Sequence, residues 1–284
     1  MKRVLFAGLL CAVIEVTGLV AADNVSVTNI DVPGARSTFP SSINDYGEVA
    51  GYYEMEGRIL GFILKNGTFT TIDIGPVYTI VTGINNRGDV VGYYVREGVE
   101  RSFIYSRGAF TSVEFPGARD TVAKGINDLG DVVGITNQGG FLYSEGTFTL
   151  LPGPEEYILS VEPMGINNKG QIVGYYVDAA FDSYQAFIYQ DRAFTMIPPV
   201  RSHLANIPWG INDHGDVVLT GDASSRMVIY SKGRLNAVHT PKFPIGLGGI
   251  NNAGEFVGVY REPEGEHHVL LRRRGHGRGR EHGP

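Results

Sequence analysis

Three arginines recur at nearly even spacing in loops of similar composition. Arg36 follows Pro33-Gly34-Ala35, Arg119 follows Pro116-Gly117-Ala118, and Arg201 follows Pro198-Pro199-Val200. A guanidinium presents a planar fork of donors that matches a carboxylate or sulfate bidentately, so three of them around one opening suit an anionic ligand. The equivalent loops in between carry aromatics instead, Tyr78, Tyr157 and Phe243, and the one tryptophan, Trp209, stands at a loop-to-strand junction. Aromatic faces stack on the apolar faces of sugar rings. Arg36, Arg119, Arg201, Tyr78, Tyr157, Phe243 and Trp209 therefore read as a ligand-binding constellation, with an acidic carbohydrate as the ligand class. The plainer alternative is that each arginine pairs with an acidic neighbour such as Asp120 or faces solvent, and that Trp209 packs in the core.

Other chemistry is thinly represented. The chain has no Gly-x-Ser-x-Gly elbow, P-loop, dinucleotide fingerprint or His-Glu-x-x-His pair, so no catalytic residue and no cofactor are assigned. His203, His214, His239, His267, His268, His276 and His282 lack metal-ligand spacing. Acidic turn pairs such as Asp45 with Glu48, or Asp128 with Asp131, offer too few oxygens for Ca²⁺, which takes about six to eight. Lying in separate repeats, these pairs are expected to stay apart as solvated turn residues, and no metal site is assigned. Asp120, Glu155, Glu156 and Asp182 could serve a glycoside hydrolase or lyase, but nothing selects a pair among them. Arg87-Gly88-Asp89 resembles an adhesion tripeptide but belongs to a repeated turn.

That turn organises the chain. Ile43-Asn44-Asp45-Tyr46-Gly47-Glu48 returns at Ile84, Ile126, Ile166, Ile211 and Ile250, at spacings of 41, 42, 40, 45 and 39 residues. Asn bonds its own backbone two residues on, and Gly accepts the positive φ of a tight hairpin. Each turn is followed by an apolar, β-branched and aromatic stretch, then by a second hairpin such as Ser102-Phe103-Ile104-Tyr105. In the second unit the strands are predicted at 79–84, 89–95, 102–106 and 109–115. Four short strands per 40 residues, with no 3.6-residue period, predict an all-β chain folded as a six-bladed β-propeller with four-stranded blades. Val27-Thr28-Asn29-Ile30-Asp31 parallels Thr70-Thr71-Ile72-Asp73, and the sixth unit lacks its last strand. The N-terminal strand is thus expected to close the last blade and hide two sheet edges. Glycines 51, 92, 134, 174 and 258 mark mid-strand points of twist or close approach, with Leu219 as the exception in blade five.

The second residue after each isoleucine alternates strictly: Asp45, Asn86, Asp128, Asn168, Asp213, Asn252. The arginine and aromatic loops alternate in the same phase, so the working unit is two blades repeated three times. The a–b turns share one face of a propeller with the c–d hairpins, and the d–a and b–c loops share the other. The first are nearly uniform and read as scaffold. The second vary, and variable loops on a rigid frame carry function.

These units resemble the HAF-type extracellular repeats of bacterial secreted proteins, in which an Asn-x-x-Gly turn precedes His-Ala-Phe-Leu-Tyr and a Gly hairpin. The nearest match is Gln185-Ala186-Phe187-Ile188-Tyr189, and no blade carries the leading His. The resemblance covers nearly all of residues 24–271. It implies export and a bacterial source, and it brings no established activity and no catalytic residues.

The ends and the charge agree with export. Residues 1–22 read as a signal peptide, with Lys2 and Arg3 before an apolar run that ends at Val20-Ala21-Ala22. Cys11 is the only cysteine, so the mature chain would have no disulfide, and no later segment is apolar enough to span a membrane. The net charge is −6; with +1 on residues 1–22 and +4 on residues 272–284, the propeller body 23–271 carries −11. Such a body repels phosphate, which argues against nucleic acid. Residues 272–284, rich in Arg and Gly, read as a disordered basic tail. The expected protein is a monomeric, secreted or periplasmic binding or scaffold module. Its partner would be an acidic polysaccharide or a surface protein, met at the d–a and b–c loop face. A carbohydrate-active enzyme and a protein-interaction platform are the competing classes.

Overall fold

Blade two shows how the repeat folds. Its strands a to d are Tyr78–Ile84, Val90–Arg96, Val99–Ser106 and Ala109–Val113, within a residue or three of the predicted bounds. The a–b turn is closed by two backbone bonds, from the Asn85 N–H to the Asp89 carbonyl (3.0 Å) and from the Gly88 N–H to the Asn85 carbonyl (3.1 Å). Gly88 stands at φ 78°, a backbone conformation that a side chain disfavours. At the other hairpin of the same face, Arg107 and Gly108 both have positive φ (51° and 85°), the type I′ geometry that follows the twist of the strands.

The computed structural model describes residues 25–75, 78–154, 158–178, 183–200, 207–220, 227–238, 244–262 and 265–273. Within them lie six four-stranded antiparallel sheets, each in the order a-b-c-d. The inner strands a are Ser37–Ile43, Tyr78–Ile84, Thr121–Ile126, Ile158–Ile166, Pro208–Ile211 and Pro244–Ile250. All six contribute to the lining of one central channel, which makes the fold a six-bladed β-propeller.

The last blade closes as expected. Val25–Asn29 pairs antiparallel with Gly265–Arg273, in a register that sets Val27 opposite Leu271. This strand runs through Arg272 and Arg273, the first two residues assigned to the basic tail, and pairs them with Ser26 and Val25. The signal-peptide segment and residues 274–284 lie outside the described residues. Among the described residues no helix is long and apolar enough to cross a membrane.

The core is divided into sectors between blades. Val257 and Leu270 of blade six pack with Val49, Tyr53 and Phe62 of blade one, and Ala50 of blade one packs with Val81, Val90 and Phe103 of blade two. Phe62, Phe103, Phe141 and Phe187 occupy equivalent strand-c positions and are almost wholly buried. Burying such a side chain contributes about 1.5–3 kcal/mol, so each blade interface is held by its own apolar wedge.

Candidate functional site at the central channel

Every inner strand is interrupted by a β-bulge near its end, between Pro40 and Ser42 in blade one, Val81 and Gly83 in blade two, and Ala123 and Gly125 in blade three. Blades four and five repeat it between Pro163 and Gly165 and between Pro208 and Gly210. A bulge leaves one residue unpaired and re-aims its side chain. Those residues are Ser41, Thr82, Lys124, Met164 and Trp209, and all five line the channel. The mid-strand glycines are the counterpart of the bulge. A Cβ on Gly51 would lie 2.1 Å from the Phe39 carbonyl oxygen and 2.8 Å from Pro40 Cα, so the close approach read from the sequence is that of strand a over strand b.

Beyond the bulge the chain reaches Ile43, Ile84, Ile126, Ile166, Ile211 and Ile250, each only 4–8% exposed. These six side chains border two cavities, one toward the a–b turns (about 60 Å³) and one toward the d–a and b–c loops (about 80 Å³). An apolar collar thus separates a turn end from a loop end.

At the turn end the polar groups satisfy one another in two closed rings. In the inner ring the Nδ2 group of each repeat asparagine donates to the carbonyl of its counterpart in the next blade, from Asn44 to Asn85 and round to Asn251 and back to Asn44, at 2.8–3.2 Å. Each Nδ2 also donates to the side chain four residues on, as Asn44 does to Glu48 (2.8 Å). Each Oδ1 accepts two backbone N–H groups of its own turn, as Asn44 does from Tyr46 and Glu48. The asparagine's full capacity of two donors and two acceptor sites is used.

The outer ring explains the alternation of Asp and Asn. Asn86 donates one amide hydrogen to Asp45 (2.8 Å) and the other to Asp128 (2.9 Å), Asn168 does the same to Asp128 and Asp213, and Asn252 to Asp213 and Asp45. Six backbone N–H groups complete the circle, each donating to Oδ1 of the neighbouring blade's residue at 2.7–2.8 Å. Six aspartates would repel one another, and six asparagines would face amide to amide. Burial alone would raise the Asp213 carboxyl, but the hydrogen bonds from Asn252 and Asn168, with the Lys169 ammonium, hold it below its ordinary range. The expectation that these carboxylates stay apart as solvated turn residues is corrected here, because asparagine bridges bring Asp45, Asp128 and Asp213 into one ring. Among the described residues no group of His, Cys, Asp and Glu side chains is placed to hold a metal ion.

The loop end is built differently. Lys124 is partly buried in the channel wall, and desolvation pushes its ammonium below the ordinary lysine value against the opposing pull of Glu162 and Glu100. Glu162 is held in place by the Tyr175 hydroxyl (2.5 Å) and by Ser160 (3.4 Å). Burial and the adjacent Glu162 carboxylate raise the Tyr175 phenol well above its ordinary value, so it stays protonated and donates. The Tyr184 ring meets that of Tyr175 edge-on at 5.4 Å, and Phe39 stacks on Tyr52 at 4.9 Å in blade one. Sequence reasoning missed Lys124. The signal that could have found it is a lone lysine between small residues at a position that faces the axis.

The sequence-assigned ligand residues are found at the loop end where they are described. The Arg36 guanidinium donates to Glu54 at 2.8 Å and its side chain is 78% exposed. Arg119 reaches the Gly98 carbonyl (3.3 Å) and lies 3.8 Å from Asp120, with 70% exposure. Both therefore pair locally while keeping most of the guanidinium in solvent. Tyr78 is exposed at the start of its strand. Trp209 combines both of its readings, lining the channel and packing against the cluster of Val218, Ile250 and Phe256. Asp120 accepts the Glu100 N–H (3.1 Å). Arg201, Tyr157, Phe243, Glu155, Glu156 and Asp182 lie outside the described residues.

The class of protein is that of the six-bladed β-propellers, and solved structures share the architecture at low identity. A streptogramin B lyase structure superposes with TM-score 0.51 at 14% identity, over 88% of this chain and 87% of that one. A gluconolactonase from Xanthomonas campestris gives TM-score 0.52 at 11% identity, over 88% and 91%. A nidogen/laminin complex gives 0.51 at 12%, over 75% and 86%. At such identities the likeness shows the fold alone. No family model matches the chain and no curated protein sequence does, so the resemblance to HAF-type repeats stands on its motifs.

Proposed function

We propose that the chain is an exported, monomeric binding module of bacterial origin that takes an anionic carbohydrate at the loop end of its channel. Arg36, Arg119 and Arg201 would grip carboxylates at the rim, with Tyr78, Tyr157, Phe243 and Trp209 supplying stacking faces between them. The observation that carries this reading is the contrast between the two ends of the channel. At the turn end the ring asparagines and aspartates are engaged with one another. At the loop end the Arg36 and Arg119 guanidiniums keep most of their surface in solvent, and Trp209 and Lys124 line the channel. The resemblance to HAF-type repeats supports export. The test is a thermal-shift screen of the protein against acidic and neutral oligosaccharides, alongside Arg36→Ala/Arg119→Ala/Arg201→Ala. Stabilisation by an acidic glycan that the triple variant loses supports the reading. No shift with any sugar removes it and leaves a protein-binding scaffold.

One observation favours a second reading, a carbohydrate-active enzyme: Glu162, oriented by the Tyr175 hydroxyl, acts electrostatically on the channel-lining Lys124. The fold accommodates either class. The streptogramin B lyase and the gluconolactonase are enzymes by name, whereas nidogen is seen with laminin. Release of reducing ends or unsaturated products from acidic polysaccharide, abolished by Glu162→Gln, would decide for the enzyme.

A further inference from the structure

The a–b turns vary most at one position. Between the ring residue and the glycine stand Tyr46, Arg87, Leu129, Lys169, His214 and Ala253, at the tip of each turn, and all are exposed. Tyr46 and Leu129 are 76% and 73% exposed, more than any other large hydrophobic among the described residues. The face that the repeat builds as a uniform frame thus presents apolar and cationic tips side by side.

The charges of this face are sorted by depth. Its acids are drawn inward: Glu48 and Asp89 are buried, and Asp131, Asp216 and Glu255 each accept from the ring asparagine of their own turn. The cations stand outward. Lys65 meets Glu48 at 2.6 Å with 64% of its side chain exposed against 9%, and Arg87 meets Asp89 at 2.9 Å with 51% against 11%. Arg107, Lys169, Arg192 and Lys232 are exposed as well, with Glu145 and Asp191 as exposed acids at hairpin tips. At the opposite face the b–c tips of blades one and two carry Glu56 and Glu97 instead. A seven-residue strand such as Tyr78–Ile84 separates the faces by roughly 20 Å. That is more than twice the screening length of about 8 Å at physiological salt, so the acidic body does not cancel the turn face.

Such a face fits an extended anionic surface, because its cations come from blades one, two, four and five and are not gathered in a pocket. A tyrosine and a leucine among lysines and arginines are groups that bury apolar surface at the level of lipid headgroups, and each cation adds attraction to anionic lipid. Val25 and Arg273 pair where other blades have their c–d hairpin, so both ends of the propeller lie on this side, and the sequence continues with Arg274, Arg278 and Arg280. We propose that the a–b turn face docks the propeller on an anionic lipid bilayer. Tyr46 and Leu129 enter the headgroup layer, and the cations around them meet the headgroups. The loop face then points away from the membrane. The proposal is independent of which ligand the loop end takes.

The experiment measures co-sedimentation of the mature chain, residues 23–284, with phosphatidylcholine vesicles that contain or lack phosphatidylglycerol, at low and high salt. The variants are Arg107→Glu, Lys232→Glu, Tyr46→Ser/Leu129→Ser and Arg96→Glu. Glu145 already occupies the equivalent hairpin position of blade three, at φ 49° against 51° for Arg107 and 50° for Lys232, so the first two variants place glutamate where the fold accepts it. Arg96→Glu makes the same charge change at the loop-face end of strand b. Binding is expected to require phosphatidylglycerol and to weaken with salt. Arg107→Glu and Lys232→Glu should each lower affinity about tenfold or more, the apolar double variant about tenfold, and Arg96→Glu by less than about twofold. Absence of binding to either vesicle overturns the proposal. So does an equal loss from Arg96→Glu and Arg107→Glu, which would mean that net charge alone is read. Binding that survives both charge variants and is lost on deleting residues 274–284 would assign it to that segment and overturn the face. If polygalacturonate is bound through Arg107 and Lys232 while vesicles are not, the face takes an acidic polymer and the bilayer is overturned.

Discussion

Asn252 holds both carboxylate oxygens of Asp45, 207 residues earlier in the chain, with its backbone N–H on Oδ1 (2.7 Å) and its side-chain amide on Oδ2 (2.8 Å). The same two bonds join blades with about 40 residues between them elsewhere in the ring, so the contact that closes the circle is chemically the same as those inside it. Closure is therefore secured twice, by this ring at the axis and by the Val25–Asn29 strand at the rim of blade six.

Replacing one ring carboxylate by an amide should break two bonds at once. Asp128→Asn sets an NH₂ group against those of Asn86 and Asn168, leaving donors without acceptors. The expected cost is about 1–3 kcal/mol, read as a lower urea midpoint with an unchanged slope. Exchanging Asp for Asn and Asn for Asp at all six positions should restore most of the loss, because the alternation is regained. A sixfold exchange as unstable as the single variant would show that the ring's pattern does not matter.

The bulge predicts a sharp difference between two glycines of blade one. Gly51→Ala drives a Cβ into the backbone of Phe39 and Pro40, whereas at Gly57 nothing lies within 4 Å and only the φ of +75° opposes a side chain. Gly51→Ala should cost about 1–3 kcal/mol, as overpacking does, and Gly57→Ala less. Thermal unfolding of the two variants side by side checks the order.

Removing the closing strand should change the solution state more than the core. Deleting residues 25–29 bares the backbone edge of Gly265–Arg273, and an open edge recruits other chains. Light scattering after size exclusion should show oligomers or aggregate in the deletion where the parent runs as one species. A monodisperse monomer from the deletion would count against this role of the strand.

The stability contributed by Asp89 and Asp213 should be lost only in strong acid. In Asp89 burial opposes the charged form, but hydrogen bonds from Ser106 and Asn85 and the Arg87 guanidinium outweigh it and lower the pKa, as the bonds from Asn252 and Asn168 do in Asp213. Carboxylates held below their unfolded value stabilise the fold fully above that value, about 3.9. They lose the contribution as pH falls through the folded one. The unfolding midpoint should thus be insensitive to these groups from neutrality to about pH 4 and decline below it. The decline should shrink in Asp89→Asn, measured by thermal unfolding between neutral pH and strong acid.

The blade count, the strand order and the N-terminal closure were all legible because Ile-Asn-x-x-Gly carries its own turn geometry and repeats at fixed spacing. The Asp/Asn alternation was equally visible, but its reason was not. Asp45 bonds residues 41 and 207 positions away, and a single turn read alone shows only a solvated carboxylate. The bulges were hidden for a related cause. Gly51 and Gly92 signalled close approach, yet nothing in Pro40-Ser41-Ser42 or Ala123-Lys124-Gly125 says which residue is the extra one, and that decides whether Lys124 faces the axis. The arginine loops were legible as loops, whereas Arg36 with Glu54 and Arg119 with Gly98 are pairings across hairpins that local sequence does not specify.

The alternating ring imposes a parity rule. A circle of side chains that must read carboxylate, amide, carboxylate, amide can close without a mismatch only on an even count. Adding or deleting a single blade would force two like groups side by side at one seam. Growth or contraction of this propeller by duplication is thereby confined to steps of two blades.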